Sequence, residues 1–344
     1  MAPVGVQPLP VLVALAAASL GCSGLLGLDE FTGGADGGVA GAGGTSTGTG
    51  GTGGGTSTGT GGTGGTGGTA GMGGGVATGG ADVTFGSWDS PAEVTSLNAH
   101  CNDADDPSFT ADGLLLYFNC DSDGDPDIWV SERTNTDDPW GSPALVDELS
   151  SGVPETNVAV SSDGLEIWFA RNISGDLDIF TAKRISRADA WGSIAEITAL
   201  TTSGNEYPCA VTSDLQTMVY GRGGSTQDLY VTKRVSTVFS WDEGALIAEV
   251  DSLQSNQEAW LSPDGLHLYF TSERPGGQGN SDIYRSQRAK ADEPFSSPVE
   301  IGDGINGSTV DTDPWLLPDR SYIMFVRGET NRRIYEASRP VYPN

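Results

Sequence analysis

Histidine and positive charge are what this chain has least of. His100 and His267 are the only histidines in 344 residues, and neither joins a His/Cys cluster with the spacing a zinc site needs. No strand–Gly-x-Ser-x-Gly–helix elbow is present, which removes the common serine-hydrolase arrangement. Lys and Arg together number 17 against 46 Asp and Glu, a formal charge of −29. So acidic a surface repels phosphate backbones and anionic headgroups, which excludes nucleic acid as a partner and leaves solubility, cations or a basic partner as the reasons for the charge. Long apolar runs are scarce too. The one uncharged stretch of note, residues 9–21 (LPVLVALAAASLG), is too short to span a bilayer comfortably and has the size of a signal-peptide core.

That stretch ends at Cys22 in the context SLGCSG, which resembles a bacterial lipobox. The resemblance implies a signal peptide over residues 1–21, lipidation of Cys22 and, with Ser23 rather than Asp next, sorting to the outer membrane on its periplasmic or cell-surface side. The match departs from the family in having Ser19 where Leu is usual and no Lys or Arg ahead of the apolar run; a plain cleaved signal is the alternative. With Cys22 lipidated, an odd number of cysteines remains for an oxidising compartment: Cys101, Cys120 and Cys209. Cys101 and Cys120 lie near the two ends of one hairpin arm and form the expected disulfide, whereas Cys209 sits in an inner strand as a small buried residue.

Residues 22–81 are expected to be a disordered tether. From residue 31 onward they are almost wholly Gly, Thr, Ser and Ala, with nothing to bury against the entropy of ordering. About 50 such residues span about 40 Å as a coil and roughly 170 Å when stretched.

Residues 82–344 carry nearly all the aromatic and charged side chains, and they repeat. The turns TADG (110–113), SSDG (161–164), TSDL (212–215), SPDG (262–265) and LPDR (317–320) set Asp at 112, 163, 214, 264 and 319, steps of 51, 51, 50 and 55. Six residues after each Asp stands Phe118, Phe169, Tyr220, Phe270 or Phe325. A second strand follows as DIWV, DIFT, DLYV, DIYR or RIYE, and then an aromatic at Trp140, Trp191, Trp241 or Phe295. LLLYF, LEIWF and LHLYF alternate as half-buried strands do. A four-strand unit of this period predicts propeller blades. The orphan segment WDSPAEVTSL (88–97) precedes the first copy and the fifth copy lacks its last strand. The expectation is therefore five blades, all-β, closed by residues 88–97 pairing with 333–339, which leaves no open edge.

The motif set resembles the TolB-like, WD40-like propeller repeat over about residues 88–339, best in SPDGLHLYFTSERPGGQGNSDIY (262–284) and least in the third copy, where Leu215 replaces the turn glycine. Many relatives close with six blades, so the count of five comes from this chain.

Acids recur eight or six residues before the turn Asp: Asp106, Glu155, Glu206, Glu258, Asp311 and Asp313. Offsets of eight and six share one strand face, so these side chains are expected to point the same way and ring one mouth of the central channel. Arg171, Arg222 and Arg327 follow two residues after the repeat aromatic, and Arg274 four after it. Two readings stand: acids and arginines pairing between blades, or a polar ligand or cation mouth. Asp121, Asp123 and Asp125, with Glu132 further on, have the alternation of a Ca²⁺ loop, but Pro126 stands where that loop needs glycine, so a solvated hairpin is the plainer reading. No other cofactor is expected. The sialidase Asp box is absent, because Asp163 and Gly164 are adjacent. The functional expectation is a non-catalytic envelope lipoprotein, tethered only by its lipid, that binds protein, peptidoglycan or another glycan. The alternative is a propeller-type glycoside hydrolase working through rim carboxylates.

Overall fold

A computed structural model describes residues 83–343 apart from positions 123, 174 and 303. Cys22, the tether and Asp123 thus lie outside the described residues. Five antiparallel four-stranded sheets form the blades of a propeller. From the channel outward, blade 1 runs Asp103–Phe109, Leu115–Asp121, Pro126–Glu132 and Ala144–Leu145. Blade 2 is Glu155–Val160, Glu166–Ile173, Asp176–Lys183 and Gly192–Glu196. Blade 3 is Asn205–Val211, Thr217–Gly223, Gln227–Lys233 and Ala245–Leu246. Blade 4 is Asn256–Leu261, His267–Ser272, Asp282–Gln287 and Val299–Glu300. Blade 5 takes Asp311–Leu316, Tyr322–Arg327 and Arg333–Ser338 from the end of the chain.

Its outermost strand is Ala92–Glu93, in the register Ala92↔Glu336 and Glu93↔Tyr335. The ring closes as the orphan WDSP segment predicts, although the paired strand is shorter than residues 88–97 because the chain turns into a brief helix at Thr95–Asn98. A second clasp was not legible: Val83–Phe85 pairs with Val341–Pro343 outside the blades.

The repeat motifs are the parts of one structural unit. In each turn a Ser or Thr hydroxyl donates to the turn Asp, as Thr110 does to Asp112 at 2.6 Å and Thr212 to Asp214 at 2.7 Å. The residue after that Asp is left-handed in all five turns, with φ of +67° at Gly113, +76° at Gly164, +59° at Leu215, +73° at Gly265 and +60° at Arg320. Its carbonyl accepts a bond from an arginine at the end of the third strand: Arg133, Arg184, Arg234, Arg288 and Arg339, at 2.6–2.8 Å. Each of those guanidiniums lies over the aromatic marker of its blade, Trp140, Trp191, Trp241, Phe295 or Trp88, at 4.1–4.3 Å. Trp88 is the fifth marker, supplied by the closing segment. Between blades the large side chains pack with almost no exposure: Tyr117, Phe118, Trp168, Phe169, Tyr220, Phe270 and Phe325 are all fully buried. Each stabilises the fold by about 1.5–3 kcal/mol through the apolar surface it removes from water.

Candidate functional site

All inner strands begin on one face of the ring, the entry face, and the Asp turns lie on the opposite one, the turn face. The recurrent acids sit at the entry face, but they split into two sets. Those eight residues before the turn Asp point into their own blade. Arg171 Nε donates to Glu155 Oε1 at 2.7 Å, Arg327 Nε to Asp311 Oδ1 at 2.6 Å, and Arg222 Nε lies 3.5 Å from Glu206 Oε1. Glu155, Glu206 and Asp311 are fully buried. Burial pushes the Glu155 and Asp311 carboxyls above their usual range in spite of the arginines, which pull the other way. The pairing is therefore within a blade, between directly opposed residues of its first two strands, and not between blades.

The same arginines also bind the segment arriving from the preceding blade. Arg171, Arg222, Arg274 and Arg327 each donate Nη2 to a carbonyl there, of Leu149, Leu200, Val250 and Ile305. In blade 4 the acid is replaced by Asn256, whose Oδ1 accepts from Arg274 at 2.7 Å. In blade 1 the equivalent register position pairs Ala104 with Cys120. There the tie to the incoming segment is covalent: Cys101–Cys120 is a disulfide. Arg171, Arg222, Arg274 and Arg327 are thus structural clasps, and the disulfide is the fifth.

The acids six residues before the turn Asp do not share that face. A β-bulge interrupts every inner strand at this point. The bulged residues Asp106, Asn157, Glu258 and Asp313 take φ of +49°, +50°, +40° and +55°, which turns their side chains into the channel. Two-residue periodicity fails there, which is why the sequence suggested a common face.

In the channel Asp105, Asp106 and Asp313 bring carboxylate oxygens within 4.8 Å of one another. Arg332, from the second hairpin of blade 5, bridges Asp105 and Asp313, the latter at 2.8 Å. Asp106 accepts from Asn119 Nδ2 at 3.0 Å and from Asn157 N and Nδ2, both at 3.1 Å. Burial and then the neighbouring carboxylates push Asp105, Asp106 and Glu258 well above the usual carboxylate range. Glu258 Oε2 and Asp313 Oδ1 are buried without a hydrogen-bond partner among the described residues. The three aspartates have the oxygen chemistry of a hard divalent cation site, yet Arg332 already neutralises two of them. The space that Asp106 and Asp313 share with Pro208, Cys209 and Trp315 is about 20 Å³. Burial also raises the Cys209 thiol, which favours its protonated form. Asp105, Arg332 and Asn157 were not read from the sequence; the Asp pair in DADDP was the available signal for the first.

The weak Ca²⁺ candidate falls in the second hairpin of blade 1. Asp121 ends a strand and its Oδ1 accepts from Gly124 N at 2.6 Å, which makes it a turn acceptor. Asp125 lies in the same loop.

No protein-family profile and no curated protein matches the chain. Solved structures do. The catalytic domain of the Coprinopsis cinerea GH62 alpha-L-arabinofuranosidase is 11% identical with a TM-score of 0.53, over 74% of this chain and 96% of that one. A thermostable family-43 glycoside hydrolase is 13% identical with a TM-score of 0.50, over 69% and 89%. TolB from Acinetobacter baumannii is 13% identical with a TM-score of 0.43, over 70% of this chain; the chain spans 56% of that protein's length. The likeness is one of fold. It carries no residue role from those proteins to this one, because a propeller hosts unrelated functions.

Proposed function

We propose that this chain is an envelope-anchored lipoprotein whose propeller is a non-catalytic binding or scaffold module for a protein or a cell-wall glycan. The channel is the observation that supports it. A space of about 20 Å³ holds about one water molecule, whereas a site for a small organic ligand occupies roughly 300 Å³ or more. The carboxylates around it are taken up by Arg332, Asn119 and Asn157. A glycosidase needs a sugar between two carboxyl groups, one of them free to move a proton. Glu258 Oε2 and Asp313 Oδ1, both buried without a partner among the described residues, and a Glu258 carboxyl held toward its neutral form are what favours a hydrolase.

The lipobox-like SLGC ahead of the glycine-threonine segment supports the anchor. The test is envelope fractionation of the parent and Cys22→Ala, followed by co-sedimentation of the released protein with purified sacculi and a pull-down from envelope extract. The reading expects Cys22→Ala to leave the membrane fraction with its propeller folded and to retain a sacculus or protein partner. Retention of the Ala variant in salt-washed membranes would overturn the anchor. Absence of any envelope partner would overturn the binding module.

A further inference from the structure

Every blade stacks an arginine on its aromatic marker at the turn face, and what that pair meets on the neighbouring blade differs from junction to junction. At the junction of blades 2 and 3, Arg234 over Trp241 meets Glu166, with both side chains buried and 3.2 Å apart. At the junction of blades 5 and 1, Arg133 lies over Trp140 and Tyr322, and Tyr322 donates to Glu336. The junction of blades 4 and 5 is built differently. The position of Glu166 is taken there by His267, and that of Glu336 by Arg285, directly opposite Tyr269. At that same register position blades 1, 2 and 3 have Val130, Thr181 and Val231.

A second departure faces these residues. The left-handed turn residue is glycine in three blades and Arg320 in blade 5, at φ +60°. A side chain there is strained relative to glycine. Arg285 and Arg320, joined by Arg339 stacked between Phe85 and Trp88, line a cavity of about 280 Å³ completed by Tyr269, Ile301 and Gly86. Among the described residues no carboxylate lines it. His267, which meets Arg320 Nη1 at 3.0 Å, has its pKa lowered to about 4 by burial and then by that guanidinium, so it adds no charge at neutral pH. Three of the chain's 17 basic residues therefore converge on one cavity in a protein of charge −29.

We propose that this cavity binds a carboxylate-bearing sugar unit of single-residue size. The forked guanidiniums of Arg285 and Arg320 match a carboxylate, which takes two parallel N–H bonds from one arginine. Tyr269 and Trp88, the latter covered by Arg339, are almost wholly buried behind the cavity, whose lining is mostly polar and suits the hydroxyls of a sugar, while its space exceeds what a bare inorganic oxyanion fills. The volume is that of a small ligand, and the site lies on the face opposite the acidic channel mouth. This deepens the binding-module reading and rests on it, naming the anionic glycan as the partner and the junction of blades 4 and 5 as its seat.

The experiment is titration of the mature protein by calorimetry and ligand-observed NMR with sodium D-glucuronate, D-glucose, N-acetyl-D-alanyl-D-alanine and inorganic phosphate. Glucuronate is expected to bind and glucose is not. Arg320→Gly and Arg285→Gln are each expected to weaken glucuronate binding at least tenfold. Arg320→Gly installs the residue that blades 1, 2 and 4 use at this turn, so its melting temperature should be unchanged or higher. Loss of binding in it is then loss of the guanidinium and not of the fold. Glucuronate binding unaffected by both substitutions, or no binding by the parent, overturns the proposal. Phosphate or the peptide binding as tightly as glucuronate overturns the sugar-acid assignment. A sacculus or protein partner retained by Arg320→Gly, with glucuronate never bound, removes this site while leaving the binding module standing.

Discussion

Replacing both Cys101 and Cys120 by Ala removes the one covalent clasp among five. The bond spans a separation of 19 residues. Closing a loop of that size restricts the unfolded chain enough to stabilise the native state by about 3 kcal/mol. Both cysteines are buried. The clasp also holds the second strand of blade 1 to the segment leaving the closing strand Ala92–Glu93, where an arginine does this work in the other blades. For a domain of this size 3 kcal/mol corresponds to a fall in melting temperature of roughly 6–12 °C. The assay is thermal and guanidinium unfolding of parent and double variant in oxidising buffer, with the parent repeated under reductant. Reduced parent and variant should coincide. A loss below about 1 kcal/mol would refute the reasoning, because the arginine clasps would then be holding the ring without help.

Two further outcomes follow from the split between the acid sets. Glu155→Gln should lower stability by about 1–2 kcal/mol: Arg171 loses its countercharge but remains partly solvated and keeps its bond to Leu149. Chemical denaturation reads this, and an unchanged midpoint would show that the pair contributes nothing. Glu258→Gln should act in the opposite direction at neutral pH. The folded pKa of Glu258 is raised, so its stabilising contribution is complete below the unfolded value, about 4.3, and is lost as pH rises through the folded value. The Gln variant should melt above the parent at pH 7–8 and converge with it near pH 4. A variant that melts lower at pH 8 would contradict the direction of the shift.

The fold was legible because each blade repeats the same local physics. The Asp turns, the DIY-type strands and the tryptophan markers are parts of one clasp, so five copies of a pattern announced five copies of a structure. Closure was legible from the unmatched halves at residues 88–97 and 333–339. The site was less so. A rule of two-residue alternation placed Glu155 and Asp106 on a common face, and only the backbone shows the bulge with φ +49° at Asp106 that separates them. Arg332 and Asp105 come from different blades, and no spacing along one strand could have joined them. Arg320 was visible as a departure from the DG turn, but its meaning needed Arg285 and Tyr269 across the junction.

The central proposal is that the channel carboxylates transfer no proton to a substrate and the protein turns over no glycan. Its most direct test is hydrolysis of a panel of 4-nitrophenyl glycosides, arabinofuranosides included, by the parent, Asp106→Asn and Glu258→Gln, each with its melting temperature. The account predicts no turnover above buffer for any of the three and a raised melting temperature for Glu258→Gln at pH 7–8. Hydrolysis by the parent that is abolished in Glu258→Gln while the fold is intact would contradict it.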